Sequence, residues 1–136
     1  MDMGLGSYLK DSVGAPMTTI LIVDDDPNNQ RILSYTLRKA GYTVLVASNG
    51  EVGLEILRQT TVELAILDIS MPVMDGISLL RLIRADQRLS SLPVIILTAS
   101  GDDQELALGE QVNIQGFLTK PSSSQILLRT VVAALG

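Results

Sequence analysis

The sequence predicts an α/β fold: a doubly wound, five-stranded parallel sheet with helices on both faces. Three observations predict it. Five apolar runs recur, beginning at residues 20, 44, 64, 94 and 114. Helical patterns with their own start and stop residues stand between them. The runs are continuous rather than alternating, as in strands covered on both faces. Strand–helix alternation with short links implies βαβ units, and right-handed crossovers leave few topologies. Strand order 2-1-3-4-5 leads, with its crevice between strands 1 and 3.

Residues 1–17, with three glycines and a proline, have no clear period. They read as a flexible N-terminal arm, linker or leader, ahead of one domain over 18–136. The first run, Ile20–Val23, is followed by Asp26-Pro27, a capping residue before proline at the first helical position. That helix is expected to bury Ile32, Leu33, Leu37 and Ala40 and to stop at Gly41. After Val44–Ala47 comes a helix over about Asn49–Gln59, with Val52, Ile56 and Leu57 inward. After Leu64–Leu67, a third helix opens at Asp75-Gly76 and carries Ile77, Leu80 and Ile83. Val94–Leu97 leads into a weaker fourth helix, about Asp102–Val112. The fifth strand is the weakest run, Ile114 with Phe117-Leu118. The last helix begins near Ser122–Ser124 and repeats Ile126, Leu127, Thr130, Val131 and Ala134.

Composition narrows the function. A chain of 136 residues, 46% hydrophobic, fills the core of one domain. Aromatics are only 3%, and the net charge is −5. Both argue against nucleic-acid binding by this domain, which would need stacking platforms or a basic surface. There is no cysteine and no histidine, so thiol chemistry, thiolate zinc and a Ser-His-Asp triad are excluded. No apolar run approaches the roughly 18 residues of a membrane span. The cytoplasm is the expected compartment.

The residues that end the strands carry the chemistry. Strand 1 ends in Asp24-Asp25-Asp26, strand 3 in Asp68, strand 4 in Thr98, strand 5 in Thr119-Lys120-Pro121. Strand 2, the far edge, ends in Ser48-Asn49 with nothing reactive. One cap explains Asp26 but leaves Asp24 and Asp25. Carboxylates facing one another repel unless a cation lies between them, and an all-oxygen set suits Mg²⁺. Asp75-Gly76 reads as turn and cap. Asp102, Asp103 and Glu105 read as favourable charges in a helix's first turn. Asp68, Thr98 and Lys120 each have an ordinary reading as turn, strand and surface residues. Together with the acid cluster they match phosphoryl transfer to a carboxylate, which needs a nucleophile, charge neutralisation and positioning.

These pieces resemble the receiver domain of two-component response regulators: ILIVDDDP at 20–27, LAILDISMPVMDG at 64–76, VIILTAS at 94–100 and FLTKP at 117–121. The resemblance implies a flavodoxin-like (βα)5 fold and a switch that is not a turnover enzyme. It implies Asp68 as phosphoacceptor, and Mg²⁺ (or Mn²⁺) on Asp25, Asp68 and the Ser70 backbone carbonyl, with Asp24 acting through water. Lys120 would contact Asp68 and then the phosphoryl group, and Thr98 would swing toward that group. Phe117 holds the place of the switch aromatic, and Lys120–Pro121 is expected to be cis. The implied partners are a histidine kinase or phosphotransfer protein and a downstream protein or output domain. A homodimer would use the fourth helix, fifth strand and fifth helix. The sequence departs from the family at Asn113-Ile114, where Gly-Ala is usual, and at Ser122, expected to cap the last helix in place of phenylalanine. Ser70 and Ser100, two residues after Asp68 and Thr98, are small enough to admit an attacking water. Two alternatives remain. One is a small haloacid-dehalogenase-type phosphatase with Asp24 as nucleophile. The other is a receiver-like interaction module that is never phosphorylated.

Overall fold

The computed structural model describes residues 18–69, 71, 73–99 and 113–136. Five parallel strands, β1 (Thr19–Val23), β2 (Thr43–Ala47), β3 (Leu64–Asp68), β4 (Val94–Thr98) and β5 (Gly116–Thr119), form one sheet of order β2-β1-β3-β4-β5. Four helices are found among the described residues: α1 (Pro27–Lys39), α2 (Gly50–Gln59), α3 (Gly76–Ala85) and α4 (Ser124–Leu135). The helix expected over 102–112 lies outside the described residues.

Each strand feeds two cores, because successive side chains point to opposite faces. Leu21, Val23, Ala65, Leu67, Val94 and Ile96 pack beneath α2 and α3 with Leu57, Leu80 and Ile83. Ile20, Ile22, Ile66, Ile95, Leu97 and Leu118 pack beneath α1 and α4 with Leu33, Leu37 and Val131. The unbroken apolar runs thus follow from burial on both faces. They also fix the register: Val23 pairs with both Ala47 and Leu67, and Asp68 pairs with Leu97. All strand ends therefore lie on one rim.

The helix boundaries follow local chemistry. Asp26, Asn49, Asp75 and Ser123 accept from backbone N–H groups in the first turns of α1, α2, α3 and α4. Beyond α1, Gly41 has φ +102, a conformation that glycine tolerates.

The inward faces differ from expectation at several positions. Ile32, Val52 and Ile126 are exposed, as is Ala40. The stripe on α1 is Leu33, Ser34 and Leu37, one position further along than Ile32. On α2, Gly53 and Leu54 take the place of Val52. A helix lying on a sheet beside a neighbouring helix needs only a narrow stripe, so flanking aliphatics stay in solvent. Ile114 precedes β5 rather than opening it, and packs half-buried against the α2–α3 core. Ser122 does not cap α4. Its hydroxyl donates to the Thr119 carbonyl, and Ser123 is the cap. No described helix is long and apolar enough to cross a membrane.

Candidate functional site

The rim at the strands' carboxyl ends gathers four charged side chains. Asp24 follows β1 and is fully buried, its N–H tied to the Ala47 carbonyl at 3.0 Å. Asp68 closes β3 and is 3% exposed. Asp25 is exposed, and oxygens of Asp24, Asp25 and Asp68 lie within 4.8 Å of one another. Lys120, just past β5, places Nζ 3.1 Å from Asp68 Oδ2 and 3.3 Å from Asp24 Oδ1. Its backbone N–H donates to the Thr98 carbonyl at 2.7 Å, which holds the lysine against the end of β4.

The electrostatics follow from this spacing. Burial alone would lower the Lys120 pKa. The hydrogen bond to Asp68 and the charges of Asp24 and Asp68 outweigh it, so the net shift is upward. The ammonium therefore stays charged through the neutral range. One positive charge facing three carboxylates leaves a net negative cluster. Such a set is suited to a hard divalent cation with oxygen ligands.

Thr98 lies one residue beyond Leu97, the partner of Asp68 in the sheet. It is fully buried, and its hydroxyl has no hydrogen-bond partner among the described residues. Phe117 is half-buried against the α2–α3 core. The Lys120–Pro121 bond is cis. Ser70 and Ser100 lie outside the described residues.

Three contributors are absent from the sequence-based list. The Asn29 side-chain amide donates to Asp24 Oδ2. The Gln30 amide donates to the Asp24 carbonyl and to the Ser48 hydroxyl. The available signal is position: both follow Pro27 in the first turn of α1, where side chains lean back toward the N-terminus. Gly76 is the third. It begins α3 directly against Asp68, whose carbonyl and the Ile69 Cα would meet any Cβ placed there. Asp75 does cap α3, and the glycine beside it is fixed by this close approach.

A doubly wound sheet with an acid cluster, a lysine and a buried hydroxyl on its rim is the class of fold and site expected of a receiver domain. The chain belongs to the response regulator receiver domain family, whose sequence model matches residues 20–132. It is similar to protein PilH of Pseudomonas aeruginosa, 36% identical over 119 residues, covering 88% of this chain and 98% of that one. It is 38% identical over 109 residues to the chemotaxis protein CheY of the same organism, covering 79% of this chain and 88% of that one. The transcriptional regulatory protein GltR, also from P. aeruginosa, is 39% identical over 117 residues, 86% of this chain but 48% of its own length. The chain thus spans about half of that relative. Among solved structures, the Vibrio cholerae chemotaxis protein CheY4 superposes with a TM-score of 0.82 at 29% identity, covering 88% of this chain and 99% of that one. Family membership decides against the haloacid-dehalogenase reading. So does Asp24 itself, a fully buried carboxylate already engaged by three donors.

Proposed function

We propose that Asp68 is the phosphoacceptor of this domain and that the aspartyl phosphate shifts its partner surface. The observation that carries the reading is the Thr98 hydroxyl, buried without a partner among the described residues at the strand end beside the Asp24–Lys120–Asp68 cluster. Buried hydroxyls are ordinarily satisfied, and a phosphoryl oxygen on Asp68 would satisfy this one.

The donor would be a phosphohistidine on a histidine kinase or phosphotransfer protein. An Asp68 carboxylate oxygen attacks phosphorus in line, the P–O bond forms, the P–N bond breaks, and the imidazole leaves and takes up a proton. Lys120 Nζ, already at Asp68, pairs with a phosphoryl oxygen. Thr98 donates to another, and Phe117 follows the volume the threonine vacates. Water attack on phosphorus later releases inorganic phosphate and regenerates the carboxylate. Mg²⁺, or Mn²⁺, fits the all-oxygen donor set. Asp25, Asp68 and the Ser70 carbonyl would hold it with Asp24 through water, and it would supply positive charge for the phosphoryl oxygens.

The domain is a switch rather than a turnover enzyme, and its setting is the cytoplasm. Its downstream partner would be a separate protein or an output domain. The surface for that partner, or for a second copy, would include β5 and α4 together with the helix expected over 102–112.

The test is acetyl phosphate with Mg²⁺, read by intact mass. One phosphoryl adduct is expected, lost with EDTA and lost in Asp68→Asn. No adduct on the wild-type domain would favour the non-phosphorylated interaction module, and an adduct surviving in Asp68→Asn would move the acceptor elsewhere.

A further inference from the structure

We infer that Asn29 is the positioning residue of Asp24, the donor that keeps this buried carboxylate oriented in both states of the switch. The inference rests on the reading of the acid cluster as a cation and phosphoryl site. It goes beyond it by naming a residue that touches neither the phosphoryl group nor the cation.

The argument is an accounting of donors. Asp24 is fully buried, and a buried carboxylate is tolerated only when its oxygens accept hydrogen bonds. Oδ1 accepts from the Asp26 N–H at 3.0 Å and from Lys120 Nζ at 3.3 Å. Oδ2 accepts from the Asn29 amide. The Lys120 ammonium is shared with Asp68 at 3.1 Å. A phosphoryl group on Asp68 draws that ammonium toward new oxygens, and Asp24 loses its hold on the cationic donor. Among the described residues, the Asp26 N–H and the Asn29 amide are then what remain.

The amide suits this role chemically. It is neutral, so it satisfies the carboxylate without adding positive charge that would compete with a bound cation. It also leaves Oδ2 room for a second donor, since among the described residues one donor engages that oxygen. The local fold supplies the geometry. Asp26 caps α1 and Pro27 starts it, so Asn29 falls in the first turn, half-buried, with its side chain directed back over the end of β1. Gln30, the next residue, holds the Asp24 main-chain carbonyl and reaches Ser48 at the end of β2. The first turn of α1 thus grips Asp24 by both its carboxylate and its backbone.

The experiment compares wild type with Asn29→Leu, of similar size and without a donor, and with Asn28→Ala as the neighbouring control. Asn29→Ser serves as a second, smaller variant in case the leucine disturbs folding. Mg²⁺ alone is titrated by calorimetry. The Mg²⁺ concentration giving half-maximal labelling by acetyl phosphate is then measured, with thermal melting in EDTA to establish folding. Loss of a partner that orients a ligand typically costs about 10- to 100-fold in metal affinity. A rise of at least about tenfold in the Mg²⁺ Kd is expected in both Asn29 variants, with the labelling rate at saturating Mg²⁺ within about twofold of wild type and Asn28→Ala unchanged. Folded Asn29 variants with a wild-type Mg²⁺ Kd would overturn the inference and leave the phosphoacceptor reading standing. Wild-type protein that binds no Mg²⁺ would overturn both.

Discussion

The two sides of the crevice are built differently. On the acid side, where β1 and β3 end, Asp24 accepts three hydrogen bonds and Lys120 spans Asp24 and Asp68. The backbone below is packed so closely that Gly76 touches the Asp68 carbonyl. On the hydroxyl side, where β4 ends, Thr98 Oγ1 is buried and has no hydrogen-bond partner among the described residues. The acid side is organised before any phosphoryl group arrives. The hydroxyl side carries an unmade hydrogen bond that the group would complete. An unsatisfied buried polar atom costs about 1–3 kcal/mol, and on the phosphoacceptor reading a phosphoryl oxygen on Asp68 would recover that cost.

The largest test of that contrast is Gly76→Ala. Its Cβ would overlap backbone atoms of Asp68 and Ile69, which cannot rotate away as a side chain could. Overpacking against backbone should cost more than about 3 kcal/mol, measured by urea unfolding. A loss under about 1 kcal/mol would mean that the acid side is looser than this geometry.

Next comes Lys120→Met, which keeps the stem and removes the charge. Asp24 and Asp68 would then face Asp25 without their ammonium. Breaking a fully buried pair costs about 3–5 kcal/mol. The Lys120 side chain is 26% exposed, so about 2 kcal/mol is the expected loss in EDTA. Millimolar Mg²⁺ should restore much of it and should stabilise the variant more than the wild type. Equal melting of both proteins in EDTA would show that the cluster tolerates its own repulsion.

Thr98→Val reverses the sign. Valine has nearly the same shape and lacks the orphaned hydroxyl. The variant should be about 1 kcal/mol more stable, while its aspartyl phosphate no longer engages β4 and its partner response weakens. A destabilised Thr98→Val would show that the hydroxyl already contributes to the folded state, and the contrast between the two sides would fall.

The strand-end residues of both sides were legible in sequence. Strand order follows from continuous apolar runs and short links, and it brings Asp24, Asp68, Thr98 and Lys120 to one rim whatever their rotamers. What the sequence does not reveal is contact made at a distance along the chain. Arg84 is an example: its guanidinium donates to the carbonyls of Ser90, Leu92 and Asn113, tying the end of α3 to the segments entering β4 and β5. No period or motif marks it. Asn29 is invisible for a related reason. An amide in a helix's first turn is ordinary, and only the burial of Asp24 gives it work. The inward faces of α1 and α2 shifted by a position or two because Ile32 and Val52 are as apolar as their buried neighbours. Composition alone does not distinguish a stripe from its flank.

The acid side has one cost of its own, and it sets the smallest prediction. Val73 sits between Asp68 and α3 with φ +70, in the left-handed region, and is 74% exposed. A β-branched residue there is strained by about 1–2 kcal/mol, and exposure gives it little packing in return. Glycine removes the strain but adds freedom to the unfolded chain, which offsets about 0.5–1 kcal/mol. Val73→Gly should therefore raise stability by only about 0.5 kcal/mol, best resolved as a shift in the urea midpoint at constant slope. The more informative readout is phosphoryl uptake. If the strain is confined to Val73, labelling by acetyl phosphate stays at the wild-type rate. If the rate falls as stability rises, the strain is holding Asp68 in its reactive position, and the acid side stores energy in its backbone as the hydroxyl side does in Thr98.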